Sequence, residues 1–304
     1  MTSKLSSTES SEFEYAPTVD KWLDVVFIAL SAVAFPLTCN NKVDKHFSKI
    51  GHTIALAYVA HGNVFRALEQ YNAILNYDPD DDYANYYIAL IYEGLGDMNS
   101  AGKYYKKAIK KEITDGKIYY NYGMFLAKKN HKKKALEYLA KAIDLAPYDA
   151  EVYYDMGNVY SDLGDNKTAI EYFNKAVELN SEFSSAYNNL CYSMALEGNY
   201  KDALPHCQKS IELNEKNYAA YDSIGFVYYG LGEYDKAVEN FAKALKITNT
   251  VGEIYFHLAQ AYQAQKVYSD AITNYQIAME LDRQFKSEAK KGIKLCRKAA
   301  KTKE

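Results

Sequence analysis

Tryptophan is almost missing from this chain, with one residue in 304, and proline is scarce, with five. So little proline, beside only 15 glycines, excludes collagen-like and proline-rich low-complexity sequence. Four cysteines are too few for a scaffold held by a disulfide framework. Charge of one sign is also lacking. Lys and Arg number 36 against 39 Asp and Glu, a net −3, so no whole-chain excess of positive charge points to nucleic acid. Long hydrophobic runs are few; Val25–Leu37 holds 13 residues without a charge, interrupted near its end by Pro36. What remains is the composition of an ordered protein, 48% hydrophobic and 25% charged. Tyrosine is the excess, with 31 residues. A repeat that reuses tyrosine at fixed positions explains such a number.

The repeat is present, with a period of 34 residues. One small-residue column runs Ala67, Ala101, Ala135, Ala169, Ala203, Ala237 and Ala271. Twelve positions before each stand Ala55, Ala89, Gly123, Gly157, Cys191, Gly225 and Ala259. Four positions after stand Tyr71, Tyr105, Leu139, Phe173, Cys207, Phe241 and Tyr275. Each copy reads as two amphipathic helices. In the fourth, Tyr153, Met156, Gly157 and Tyr160 fall on one helical face, and Ala169, Ile170, Phe173, Ala176 and Val177 mark a second stripe. Gly164 between them suits a turn that needs positive φ. One copy cannot bury its apolar face alone, so neighbours must stack.

Small, aromatic, Gly, Ala, aromatic and Ala positions at this spacing resemble the tetratricopeptide repeat (TPR) family over about four-fifths of the chain. Tyr119, Tyr153, Tyr187, Tyr221 and Tyr255 replace the family's leading Trp, and its terminal Pro survives as Pro79 and Pro147. The resemblance implies an all-α, right-handed superhelical solenoid of seven repeats with helical caps. The expected divisions are a disordered tail at 1–19, an apolar segment at 20–47, and repeats at 48–81, 82–115, 116–149, 150–183, 184–217, 218–251 and 252–285. A basic helix at 286–304 follows, with Ala289, Ile293, Cys296 and Ala300 as a thin apolar stripe. It reads as the solvating helix over the last repeat.

Residues 22–38 are open to three readings. They are expected to cap the first repeat, with a membrane anchor or a cleaved export signal as alternatives. A helix over Val25–Leu37 would be about 20 Å long, short of the ~30 Å hydrocarbon core. Residues 1–21 also lack the basic excess of an export signal. If the segment does span a membrane, Lys42, Lys45 and Lys49 behind it keep the repeats cytoplasmic. The expected location is the cytoplasm.

No nucleotide, zinc-protease or serine-hydrolase motif is present. Gly94 and Gly96 lie in an inter-helix turn with no strand before them. The run Asp78 to Asp82 starts like a calcium loop and fails at Tyr83 and Ala89. Cys191 and Cys207 sit in two core columns of one repeat and are expected as reduced, buried thiols, not a redox or metal pair. The chain is therefore read as a non-enzyme, with no catalytic residue, no cofactor and no metal ligand.

In TPR proteins the first helix of each repeat lines the groove. By that resemblance the inward positions are Tyr120, Asn121, Tyr154, Asp155, Asn158, Asn188, Asn189, Tyr192, Asp222, Phe226, Tyr229, Phe256 and His257. Asparagine offers donor and acceptor together, so it can hold a peptide backbone whatever the peptide's sequence. Asn121 and Asn189 fall in the column that does so in related superhelices, while Asp155, Ser223 and His257 interrupt it. Glu151, Asp155, Asp162 and Asp222 make the groove acidic, so the expected ligand is a neutral or basic peptide. The family's carboxylate clamp is not matched: of His52, Leu56, Tyr87, Lys117 and Asn121, only Lys117 is a suitable cation. Finally, residues 100–149 carry twelve lysines against five acids, a net +7. This Lys103–Lys134 basic edge could dock an acidic partner, anionic lipid or RNA, though a solvated edge is the expectation. Nucleic acid is not the expected partner of the chain. The expected function is a scaffold or adaptor for an extended peptide, with a membrane-associated assembly protein anchored through 22–38 as the alternative.

Overall fold

The structure, a computed structural model, describes residues 41–111 and 113–301. The expectations for 1–19 and for the apolar segment 22–38 lie outside the described residues. Among the described residues every regular element is helical. No helix there is long and apolar enough to cross a membrane. The chain divides into two compact units, one ending at Thr114 and the other beginning at Asp115.

The first unit holds α1 (Asn41–Ala60), α2 (Val64–Tyr77), α3 (Asp82–Gly94) and α4 (Met98–Ala108). Helix α1 packs on α2 and α3 on α4, and α2 joins the two pairs. Their shared core is built on Ala55, Tyr58, Ala67, Tyr71, Ile74 and Ile88. The helices start where acids can cap them. Asp81 accepts the Ala84 N–H and Asp97 those of Asn99 and Ser100, satisfying donors a helix N-terminus leaves unpaired.

The second unit continues the pattern. Its pairs are α5 (Gly116–Lys128) with α6 (Lys132–Leu145), α7 (Ala150–Asp162) with α8 (Asn166–Leu179), and α9 (Ser184–Leu196) with α10 (Tyr200–Leu213). Then come α11 (Tyr218–Gly230) with α12 (Tyr234–Ile247) and α13 (Gly252–Ala264) with α14 (Tyr268–Leu281). A 3₁₀ turn at Arg283–Phe285 leads to α15 (Lys286–Lys301), which packs on α14 and α13. Each second helix also touches the first helix of the next pair, and successive first helices touch each other.

The period-34 columns explain this packing. All seven column alanines, Ala67 to Ala271, are completely buried. The other two columns, 16 residues apart, face each other across each pair. A Cβ built on Gly157 would stand 2.5 Å from the Phe173 ring, and one on Gly225 would stand 2.6 Å from Phe241. The ring occupies the space the missing side chain leaves, so glycine here is a steric requirement. The turns are periodic too. Gly62, Gly96, Gly164, Gly198 and Gly232 all have positive φ, and Asn130 and Lys266 take the same conformation in the remaining pairs.

One expectation is corrected. Cys191 and Cys207 are not reduced thiols but a disulfide, with Cα atoms 5.4 Å apart. They occupy the two facing columns, where other pairs place Gly157 on Phe173 or Gly225 on Phe241. Two cysteines at directly opposed positions are already within bonding geometry. Lys286–Lys301 is a helix with Ala289, Gly292, Ile293 and Cys296 buried, while Ala300, placed in the apolar stripe from sequence, is exposed.

Four outcomes are expected in thermal and urea unfolding. Gly157→Ala, which must displace the buried Phe173 ring, is expected to cost about 1–3 kcal/mol. Gly94→Ala, at a helical position with open space, is expected to be neutral or to gain up to ~1 kcal/mol. Reducing the Cys191–Cys207 bond, or replacing both residues by Ala, should cost about 3 kcal/mol for a loop of this length. Cys191→Gly with Cys207→Phe, the neighbouring pairs' solution, should recover part of that loss.

Candidate binding face

The first helices of the second unit carry the polar face. On α5, the Tyr120 hydroxyl donates to Asp155 Oδ2 on α7 at 2.7 Å. Asn158, one turn along α7, donates to Asp155 Oδ1 at 3.2 Å. Asn189 on α9 reaches back to α7, donating to Asn158 Oδ1 at 2.7 Å and lying 3.3 Å from the Tyr154 hydroxyl. Asn188 donates to Asn189 Oδ1 at 3.1 Å, while its own Oδ1 is buried with no partner among the described residues. A single chain of hydrogen bonds therefore runs across α5, α7 and α9. It arises because first helices of successive repeats stand side by side, so that residues 31 or 35 apart in the sequence meet.

A second cluster joins α9, α11 and α13. His257 Nδ1 lies 3.1 Å from Asp222 Oδ1, and both residues are buried. Tyr192 donates to Glu253 Oε1 at 3.2 Å, and its ring packs on Phe226 at 5.7 Å. Phe226 in turn lies 5.2 Å from the His257 ring. Glu253 is not among the residues expected from sequence, because it lies in the first turn of its helix, one turn before Phe256 and His257.

Not every expected position joins these clusters. Asn121 donates to the Lys117 carbonyl of its own helix. Tyr229 stacks obliquely on Tyr234 of the following helix, and Phe256 packs on Phe285 at 4.9 Å and Tyr275 at 5.6 Å. Asn188, Asp222 and His257 are at most 8% exposed, so they brace the face more than they present surface. Asp162 leaves the acidic set, since it pairs with Lys132 at 3.2 Å.

Burial raises the Asp155 carboxyl above its ordinary range, opposed by the hydrogen bonds from Tyr120 and Asn158. Burial alone would lower His257, but the Asp222 carboxylate and Glu253 outweigh it and hold the imidazole above 6.5.

Parts of the basic edge are engaged within each unit. In the first, Lys110 pairs with Asp80 at 2.9 Å and Lys111 with Asp78 at 3.9 Å, so the acidic run beginning at Asp78 meets lysines. In the second, Lys132 holds Asp162, and Lys141 lies over the Tyr119 and Tyr138 rings. One constellation in the first unit imitates a catalytic triad. Ser48 donates to Asp81 Oδ2 at 2.8 Å and His52 Nε2 lies 3.1 Å from Asp81 Oδ1. The carboxylate stands between hydroxyl and imidazole, so His52 is not placed to take the Ser48 proton. Asp81 instead caps α3. Among the described residues no cluster of His, Cys, Asp and Glu is arranged to hold a metal.

Tetratricopeptide repeat profiles match residues 52–116, 116–149, 150–183 and 182–250. The chain belongs to the tetratricopeptide repeat family. No curated protein matches it. A TPR protein of Parabacteroides merdae is similar in structure, at a TM-score of 0.61 and 18% identity over 82% of this chain and 98% of that one. The Cut9–Hcn1 hetero-tetramer of the APC/C contains a similar chain, at 0.62 and 17% identity over 90% of this chain and 52% of that one. A thermophilic TPR protein of Thermus thermophilus reaches 0.51 and 22% identity, over 59% of this chain and 98% of that one. At these identities the likeness is one of fold. Membership of this family supports a role as a protein-interaction scaffold.

His257 gives the TPR stack a pH dependence of definite sign. Its folded pKa is raised, so its contribution to stability is complete below pH 6.5 and is lost as pH rises through the folded value. Urea midpoints measured across that range should fall with rising pH, and His257→Gln should flatten the slope.

Proposed function

We propose that the face built by α5, α7, α9, α11 and α13 holds an extended, neutral-to-basic segment of another protein, and that the chain serves as an adaptor. The observation that carries this reading is the hydrogen-bonded series Tyr120, Asp155, Asn158 and Asn189. Side chains already fixed by one another lose little further entropy when a ligand arrives. Amide and hydroxyl groups there can exchange partners with a peptide backbone, and Tyr154, Tyr192 and Phe226 supply apolar contact beside them. Asp155, Asp222 and Glu253 favour a segment without acidic side chains. No cofactor takes part, and the chemistry is non-covalent. The disulfide weighs against the cytoplasmic placement expected from sequence, because cytosolic thiols are kept reduced.

The test is capture with the full chain as bait, followed by titration of the captured partner's binding segment. Asn189→Ala with Tyr192→Ala should weaken that segment at least tenfold, about 1.4 kcal/mol, with circular dichroism unchanged. Equal affinity for the double variant and the parent would end the groove reading.

A further inference from the structure

Helix α15 closes the second unit and buries only one side. Ala289, Gly292, Ile293 and Cys296 face the core, and a Cβ on Gly292 would collide with the Tyr275 ring at 2.5 Å. The helix packs on α14, α13 and the 3₁₀ turn, and its opposite side is exposed. That side is strongly patterned. Lys286, Lys290, Lys294, Arg297 and Lys301 run along its centre, with Lys291 and Lys298 on one flank, all exposed. At the α-helical pitch these seven cations fall within about 140° of the circumference and extend over about 22 Å. The helix's one acid, Glu288, lies outside that sector. None of the seven has an ion-pair partner among the described residues, unlike Lys175, Lys209 and Lys243 elsewhere in the unit. Leu295, 57% exposed, borders the cationic stripe.

We infer that this stripe docks α15 lengthwise on the surface of an anionic lipid bilayer. The residue types select that occupant over other polyanions. Six of the seven cations are lysine, a hydrated point charge on a flexible stem, suited to diffuse attraction and not to bidentate recognition. The stripe has no aromatic side chain on which a base could stack and no Asn or Gln to read a base edge or a peptide backbone. An exposed helix face can meet a flat surface along its length, and Leu295 can enter the headgroup layer beside lysines that snorkel outward. The apolar face of α15 is already committed to Tyr275 and the core, so attachment is electrostatic and peripheral.

The test uses the full chain and vesicle sedimentation. Vesicles of phosphatidylcholine with about one-third phosphatidylglycerol should bind the chain more tightly than pure phosphatidylcholine, and rising salt should remove the difference. Any contribution of the apolar segment 22–38 appears on both vesicle types and is subtracted. The triple variant Lys290→Gln, Lys294→Gln and Arg297→Gln keeps helix-forming residues at exposed positions. It should lower the anionic-vesicle partition coefficient about a hundredfold. Lys175→Gln, Lys209→Gln and Lys243→Gln, which change net charge equally, should leave it within about threefold. Equal loss in both triples, or no preference for anionic vesicles, would overturn the proposal. So would tighter, stripe-dependent binding to a DNA duplex, to poly(U) or to poly-glutamate than to the anionic vesicles.

Discussion

The structure depends on one contact made between the two helices of a repeat. A residue of the first helix with little or no side chain faces a large residue of the second, 16 positions on. Where the first is glycine, the ring or branched side chain of the second fills the place of its Cβ, as Phe173 does at Gly157 and Leu139 at Gly123. This brings the backbones close and sets how one helix lies on the other. The column alanines let the next helix approach in the same way. Because each pair is still apolar on both remaining sides, it can only be stable between neighbours. The Cys191–Cys207 bond is the same contact made covalent. The cysteines occupy the facing columns, and the geometry that elsewhere seats a ring here joins two sulfurs.

The same periodicity makes the polar face. Residues one repeat apart stand side by side on successive first helices, so a mutation at one first-helix column changes a ladder and not an isolated position. Tyr120 reaches Asp155 and His257 reaches Asp222 across 35 residues, and Asn189 reaches Asn158 across 31, each between the first helices of adjacent repeats. The polar side chains are therefore neither loose nor dispersed. Their mutual bonds hold the face in shape, with the aromatic rings of Tyr154, Tyr192 and Phe226 packed beside them. Charge is then divided along the chain. Lys110, Lys111 and Lys132 of the early repeats pair with acids of their own unit, whereas the lysines of α15 are left to solvent.

How far the sequence reaches differs between levels. The helix pairs and their core columns are legible from it, because a backbone position that tolerates only Gly, Ala or Cys leaves its mark at every repeat. That Tyr120, Asp155, Asn158, Asn189 and Asp222 recur on the first helices of successive repeats is legible for the same reason. The partners of these residues are not. Asn121 and Asn189 occupy one column, yet Asn121 donates to the Lys117 carbonyl of its own helix and Asn189 crosses to α7. Phe256 is in the same column as Tyr120 and Tyr154, but the last repeat meets a cap where the others meet a repeat, and Phe285 and Tyr275 draw its ring inward.

By itself the sequence determined the repeat length, the helix pairs, the buried columns and the family, since each is a periodic property of residue size and polarity. Tertiary structure decided which side chains hydrogen-bond across repeats, that two cysteines close into a disulfide, and that seven cations of the last helix share one unpaired face. These depend on distances between residues far apart in the chain and on which elements each helix packs against, neither of which a local pattern encodes.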